Sequence, residues 1–160
     1  MVIYDKPVNI AASHDLTAFC CGNDILDRWL FNAALKNQNS GASTTYVVCK
    51  RGAKVVIGYF CLSAASIVRS DAPNKISRNQ PDPIPAMLLG RLVVDHQHKK
   101  TGMGRNLFVE AYNISLDAAS LIGIRVLLVH AINNEAKSFW ASLGFIASPT
   151  NPLTLMLKLG

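Results

Sequence analysis

Two nearly continuous apolar runs, separated by a long helical pattern, restrict the fold of this 160-residue chain most strongly. The runs cover residues 86–94 and 124–130. Between them, from about residue 102 to residue 120, apolar side chains recur at helical spacing. Strands that are apolar on both faces are typical of sheets covered by helices, because neither face then meets water. This order of elements predicts an α/β fold.

The first third of the chain predicts a helix followed by a β-hairpin. Asn23 or Asp24 can cap the helix, whose apolar face runs to Ala34 and which should end in the polar stretch 37–41. Residues 44–49 and 55–62 are rich in β-branched and aromatic side chains, and a short turn joins them. They are therefore expected to pair as antiparallel strands.

The remaining segments complete the expected fold. A proline-containing loop is expected at residues 70–85, a short helix at 134–143 with Gly144 as its C-cap, and a last strand at 153–159. Together the elements predict a mixed central sheet with helices on both faces. The length favours a single domain over residues 1–160.

Composition excludes several classes of protein. Half of the residues are hydrophobic and 16% are charged, which is the opposite of a disordered chain. No apolar run reaches the roughly 18 residues of a membrane helix, and the N-terminus lacks a secretory signal pattern, so we expect a cytoplasmic protein without membrane contact. The four cysteines form no C-x-x-C pair, and the histidines are scattered, so no metal is expected.

The chain carries a net charge of +6, with an isoelectric point near 9.3. A basic excess attracts phosphate-rich partners and accelerates encounters with them. A phosphorylated cofactor, an RNA and an acidic protein segment are all compatible with this charge.

One segment has the features of an anion-binding loop. It joins the strand at 86–94 to the long helix and consists of Lys99, Lys100, Thr101, Gly102, Met103, Gly104 and Arg105. Glycine lets the backbone approach a ligand closely, and the first amides of a helix point outward with no intrahelical partner. The helix dipole and the basic side chains add positive charge, so a pyrophosphate would fit. A tight turn alone explains the two glycines equally well.

A second segment, residues 133–145, predicts a short helix with an aromatic face. The two segments together, in this order, resemble the GNAT acetyltransferase superfamily. Residues 99–104 match its pyrophosphate loop, Q/R-x-x-G-x-G/A, with lysine in the first place. The later motif N-x-x-A-x-x-[FL]-Y-x-x-x-G-F is matched by Asn133, Ala136, Phe139, Gly144 and Phe145.

Within that superfamily, the segments 19–23, 26–30, 58–63, 83–85 and 90–92 resemble toxins of type II toxin–antitoxin systems. The resemblance implies a GNAT fold whose sheet is splayed at the cofactor strand. It implies transfer of acetyl from acetyl-CoA, the cosubstrate, to the α-amine of aminoacyl-tRNA, which blocks translation. It also implies neutralisation by a ribbon-helix-helix antitoxin and pairing as a homodimer.

The resemblance also assigns roles to residues. The amides of Leu92, Val93 and Val94 would hold the acetyl-pantetheine arm, and one of them would polarise the thioester carbonyl. The amides of the loop from Thr101 to Arg105 would hold the pyrophosphate, next to Lys99 and Lys100. Asn133 and Phe139 would border the pantetheine.

Position 140 departs from the family pattern, because tryptophan stands where the motif has the tyrosine taken as general acid. An indole N–H donates hydrogen bonds but does not release its proton. Either Trp140 is an inactivating substitution that reduces the activity, or Tyr59, Tyr112 or a water supplies the proton instead. No general base stands out. An acetyltransferase for a small amine or a protein N-terminus, and a non-catalytic module that binds acetyl-CoA or an antitoxin, are the alternative functions.

Overall fold

The computed structural model of the chain describes residues 4–160. Over that range it contains a seven-stranded mixed sheet, in the order β1-β2-β3-β4-β5-β7-β6. The strands are β1 Val8–Asn9, β2 Thr44–Cys49, β3 Val56–Ile67, β4 Ile84–Val94, β5 Val126–His130, β6 Ile146–Ala147 and β7 Thr154–Lys158. The helices are α1 Asp24–Asn32, α2 Ala34–Ser40, α3 Asn74–Ser77, α4 Met103–Ala119 and α5 Asn134–Ser142. The predicted α/β class with a mixed sheet is confirmed.

Strands β1 to β3 form an antiparallel group at one edge of the sheet. The predicted hairpin is confirmed, since β2 pairs with β3 from Thr44 opposite Leu62 to Cys49 opposite Val56. Strand β3 continues to Ile67, however, beyond the predicted end at residue 62. The two-residue strand β1 extends the sheet by pairing with β2 and was not predicted.

The parallel part of the sheet is short. Strand β4 pairs with β5 from Ala86 opposite Val126 to Leu88 opposite Leu128. Strand β4 then continues to Val94 and β5 to His130, while β5 pairs with β7 along its whole length. In the described chain the ladder between β4 and β5 thus ends at Leu88, which agrees with a sheet splayed along the second half of β4.

Two helical predictions need correction. The expected single helix after Asn23 is two helices, α1 and α2, because the backbone turns away from helical geometry at Ala33 (φ −124°). The predicted cap is confirmed at Asn23, whose side chain accepts hydrogen bonds from the amides of Ile25 and Leu26 at 3.0 and 3.3 Å. The predicted loop at 70–85 contains helix α3 and the first residues of β4.

The chain forms two compact units, each with its own core. One comprises the chain through Ser63 with Arg91–Ala111, and the other comprises Ala64–Gly90 with Tyr112–Gly160. Whether they behave as the single domain expected from length stays a prediction. Their cores contain, in the first unit, Ile10, Leu30, Val47, Val56, Tyr59 and Val93, and in the second, Ile67, Ile76, Ile84, Val126, Leu128 and Met156. No helix in the described part of the chain is long and apolar enough to cross a membrane.

Candidate functional site

A buried carboxylate fixes the end of β4 before the predicted anion loop. Asp95 is 5% exposed, and its side chain accepts hydrogen bonds from the amides of Cys20 at 2.9 Å and Gln97 at 3.1 Å. The second bond caps a short 3₁₀ turn, His96–His98, that leads into the loop. The amide of His96 also donates to the carbonyl of Cys20 at 2.8 Å. The loop therefore starts from a rigid anchor, which sequence reasoning missed.

The backbone of the loop has the shape that an anion site requires. Lys100 (φ 61°) and Gly102 (φ 86°) both adopt left-handed conformations just before α4 begins at Met103. The amide of Asn106 donates to the carbonyl of Gly102 at 3.1 Å. The three amides before it, at residues 103–105, come too early in the helix to have an intrahelical acceptor. They form the positive end of a helix dipole.

The anion loop is open to solvent at the residues that would contact an anion. Gly102 and Arg105 are exposed and Gly104 is half-buried, so a ligand can approach the backbone. A Cβ built on Gly102 would meet no atom within 4 Å. The space beside this glycine is therefore free for a ligand.

The basic side chains of the loop are not equivalent. The Lys99 ammonium donates to the carbonyl of Cys21, so part of its hydrogen-bonding capacity stabilises the fold. The hydroxyl of Thr101 donates to the carbonyl of His98. Lys100 and Arg105 are exposed. The full charges most available to an anion are therefore those of Lys100 and Arg105, rather than that of Lys99.

Strand β4 presents its predicted amides to different edges. The amide of Asp95 donates to the carbonyl of Ile57 in the neighbouring β3 at 2.9 Å. Because alternate residues of a strand turn their N–H groups to opposite edges, Val93 faces β3 like Asp95, whereas Leu92 and Val94 face the opposite edge. That is the edge where the ladder with β5 has already ended at Leu88. Of the three predicted amides, those of Leu92 and Val94 are the ones placed to receive a ligand.

Close packing against Gly58 positions the start of α4. A Cβ at Gly58 would lie 2.9 Å from Val48 Cγ2 and 3.1 Å from Leu107 Cδ1. Both distances are shorter than normal contacts, so any larger residue on β3 would push against the side chain of Leu107 on α4. Sequence patterns carry no signal for this requirement.

Asn133 has a structural role at the second predicted segment. It precedes α5, and its side-chain oxygen accepts a hydrogen bond from the amide of Ala136 at 2.8 Å. Gly144 (φ 101°) ends the helix, with its amide donating to the carbonyl of Ala141 at 3.0 Å. The predicted helix and its glycine C-cap are confirmed, and the cap accounts for one side-chain oxygen of Asn133.

Trp140 is a packing residue in this structure. It is 8% exposed, and its ring lies 5.0 Å from that of Phe139 and 5.2 Å from that of Phe145, centroid to centroid. Both pairs have edge-to-face geometry, which is favourable for aromatic rings. The indole therefore fills a well-packed cluster.

Tyr59 does not suit the role of replacement acid. Its side chain is fully buried, and its hydroxyl already donates to the carbonyl of Leu26 at 2.9 Å. Burial raises the pKa of this phenol strongly, so its proton is held more firmly than that of a free tyrosine. Tyr112 and water are the other proton donors that the sequence offers for the thiolate. Tyr112 is half-buried.

The cysteines are reduced, and three of the four are buried. Burial raises the pKa of the thiols of Cys21 and Cys61 to about 11. Among residues 4–160, no three or more histidine, cysteine, aspartate or glutamate side chains form a group that could hold a metal ion.

Comparisons with known proteins identify the family. No protein-family model matches the chain. It is 40% identical to a tRNA-acetylating toxin of Mycobacterium tuberculosis strain H37Rv over 154 residues, covering 96% of this chain and 92% of that protein. The chain belongs to the family of tRNA-acetylating toxins, and its fold is of the GNAT type.

Solved structures of a related toxin agree with this assignment. AtaT complexed with acetyl-methionyl-tRNAfMet superposes with a TM-score of 0.90 at 28% identity, covering 96% of this chain and 94% of that one. A mutant AtaT bound to the C-terminus of the antitoxin AtaR and acetyl-CoA gives a TM-score of 0.82 at 26% identity, covering 96% and 92%.

Proposed function

We propose that this protein is a toxin that transfers acetyl from acetyl-CoA to the α-amine of aminoacyl-tRNA and so blocks translation. The observation that carries this proposal is the 40% identity, over 96% of the chain, to a tRNA-acetylating toxin. The net charge of +6 suits an RNA substrate, which is bound largely through phosphates.

The loop before α4 is the proposed site for the pyrophosphate of acetyl-CoA. Its free amides at residues 103–105 supply hydrogen bonds, and Lys100 and Arg105 supply charge. The amides of Leu92 and Val94 would hold the acetyl-pantetheine arm along the open edge of β4. One of them would donate to the thioester oxygen, which becomes negatively charged as the amine attacks. That Asn133 and Phe139 border the arm, as the resemblance implies, stays a prediction.

The reaction itself needs few protein groups. The neutral amine attacks the thioester carbonyl, the C–N bond forms, and the C–S bond breaks to release the coenzyme A thiolate. Much of the rate comes from holding the two reactants together. Because Trp140 cannot release its indole proton, the thiolate leaves unprotonated or takes a proton from water or Tyr112.

The partners of this chain follow from its relatives. AtaT has been solved with the C-terminus of an antitoxin, and we propose that an antitoxin segment likewise neutralises this toxin. That this antitoxin is of the ribbon-helix-helix class, that the toxin forms a homodimer, and that it acts in the cytoplasm, where charged tRNA is used, remain predictions.

Labelled acetyl-CoA tests the proposed function directly. Purified protein is incubated with it and with total charged tRNA, uncharged tRNA or polyamines, and label in each acceptor is counted. We expect label on charged tRNA only, released as acetyl-aminoacyl-adenosine after ribonuclease digestion. Label on polyamines but not on RNA would instead identify a small-amine acetyltransferase.

The packing of Trp140 favours one second candidate, a protein that binds acetyl-CoA and its antitoxin without catalysis. Calorimetry separates the two functions, because this candidate requires acetyl-CoA binding without turnover on any charged tRNA. Growth arrest on expression of the toxin without its antitoxin would exclude it.

A further inference from the structure

A pocket of about 320 Å³ lies within the second compact unit. The residues that define its chemistry come from several elements, namely Asp71, Leu88, Leu128, His130, Ser148 and Thr154. This volume is at the lower end for small-molecule sites, so the pocket suits a group of modest size. None of these residues belongs to the predicted cofactor site.

The pocket lies where the parallel ladder ends. Leu88 and Leu128 are the last paired residues of β4 and β5, and both line it. His130 ends β5, only two residues beyond Leu128. A group bound here would thus lie beside the point at which β4 separates from β5.

A fixed hydroxyl orients the imidazole of His130. Its Nδ1 lies 3.0 Å from Thr154 Oγ1. Thr154 is buried, and its backbone is held on both sides, because its amide donates to Asn151 at 3.0 Å and its carbonyl accepts from Ser148 at 2.8 Å. In the tautomer whose Nδ1 donates to this hydroxyl, the lone pair is on Nε2. His130 is exposed, so a ligand can reach it.

A carboxylate lines the same pocket. The hydroxyl of Thr150 donates to Asp71 Oδ1 at 2.6 Å. This bond holds the side chain of Asp71 in place and leaves Oδ2 for a ligand. Asp71 and His130 are the titratable side chains among the residues that line the pocket. A carboxylate and an imidazole that line the same pocket suit a cationic amine that must lose a proton.

We propose that this pocket receives the α-ammonium group of the aminoacyl end, with Asp71 as its binding group and His130 as the general base. The inference rests on the proposed function. The Nε2 lone pair takes one proton from the ammonium, which gives imidazolium and a neutral amine. The amine nitrogen then attacks the thioester carbonyl, the C–S bond breaks, and the thiolate leaves with the bonding electrons. The amide nitrogen finally loses its extra proton to water.

Kinetics with charged tRNA test the role of His130. In His130→Gln we expect kcat to fall about 100-fold, within the usual range for a general base, while the affinity for acetyl-CoA stays unchanged. The rate of His130→Gln should also depend on pH less than the rate of the wild-type protein. His14→Gln, a matched change in the first unit, should keep wild-type kcat and pH dependence.

Each outcome of this experiment is decisive. Unchanged kcat and an unchanged pH profile in His130→Gln, with wild-type acetylating charged tRNA, would overturn the role of His130 and leave the proposed function intact. A wild type that acetylates no charged tRNA would overturn both.

Binding tests Asp71 without catalysis. The probe is a stable aminoacyl-adenosine with an amide link at the 3′ position, compared with its N-acetylated form, which has no ammonium. Wild-type protein should bind the ammonium form at least tenfold more tightly, and Asp71→Asn should remove that preference. Asparagine can still accept the hydrogen bond from Thr150, so the fold is kept. An equal preference in both proteins would show that the pocket does not bind the ammonium.

Discussion

At the scale of single residues, the tryptophan at position 140 bears on the proposed release of the thiolate. It packs edge-to-face with Phe139 and Phe145 and is almost fully buried. Such an aromatic cluster can hold a tyrosine or a phenylalanine in place of the tryptophan. Tyrosine and phenylalanine differ from each other by one hydroxyl, which is the group at issue.

We predict that Trp140→Tyr is faster than Trp140→Phe by about 100-fold in kcat, because a phenol can protonate the departing thiolate. Both variants leave similar space in the aromatic cluster, so both should be destabilised by a similar amount, about 1–3 kcal/mol. Turnover with charged tRNA and chemical denaturation measure the two effects. Equal kcat in the two variants would show that no general acid acts from this position.

Residue types that bind ligands also serve the fold, and this limits what a motif can predict. The motif identified Lys99 and Asn133 as cofactor residues. The structure shows Lys99 bound to the carbonyl of Cys21 and Asn133 capping α5. These bonds depend on the position of a distant loop and on the exact start of a helix, neither of which residue spacing reveals.

At the scale of elements, the turn into α4 carries the proposed cofactor site. Gly102 (φ 86°) and Gly41 (φ 85°), which ends α2, have nearly the same left-handed backbone. A Cβ on either would meet no atom within 4 Å. The two glycines are thus matched in backbone conformation and free space. Only Gly102 lies beside the amides that open α4.

We predict that Gly102→Ala and Gly41→Ala are each destabilised by about 1–2 kcal/mol, the cost of the left-handed conformation for a residue with a side chain. Only Gly102→Ala should also lose affinity for acetyl-CoA, by about tenfold or more, because its methyl group enters the space proposed for the pyrophosphate. Calorimetry measures the affinities. Unchanged affinity in Gly102→Ala would argue against this binding site.

Strongly patterned elements could be predicted from the sequence, and weakly patterned ones could not. Strand β2 and helix α5 were found within a residue of their predicted bounds because their patterns are regular. The extension of β3 was missed because its last residues, Ser63 to Ser66, are small or polar and alternate between partly buried and exposed. The break at Ala33 was missed because alanine is the best helix former.

At the scale of the whole molecule, the net charge of +6 should govern encounters with tRNA. The exposed residues Arg69, Lys75 and Arg78 contribute to it. Binding through phosphates releases counterions, so affinity falls linearly with salt on a logarithmic scale. Affinity for a small cofactor depends on salt much less.

We predict that the affinity for tRNA falls about 20-fold between 50 and 200 mM salt, as expected for about three neutralised phosphates. Lys75→Ala combined with Arg78→Ala should make this dependence shallower. Filter binding at several salt concentrations gives the slope. A slope near zero would show that the basic excess does not contact RNA.

The pocket lined by Asp71 and His130 could not be predicted from the sequence. Its residues lie between positions 65 and 154 and belong to different strands and loops. No local motif links Asp71 to His130. Only the completed sheet brings them to one cavity, so the candidate base became visible in the structure alone.

The proposed cofactor site depends most on hydrogen bonds from the amides that open α4 to the diphosphate. Calorimetric titration with acetyl-CoA, and with S-acetyl-pantetheine, which lacks the diphosphate and nucleotide, measures this directly. We predict that acetyl-CoA binds at one molecule per chain and that S-acetyl-pantetheine binds at least about 100-fold more weakly, a difference of about 2.7 kcal/mol. Equal affinity for the two compounds, or no affinity for acetyl-CoA, would contradict it.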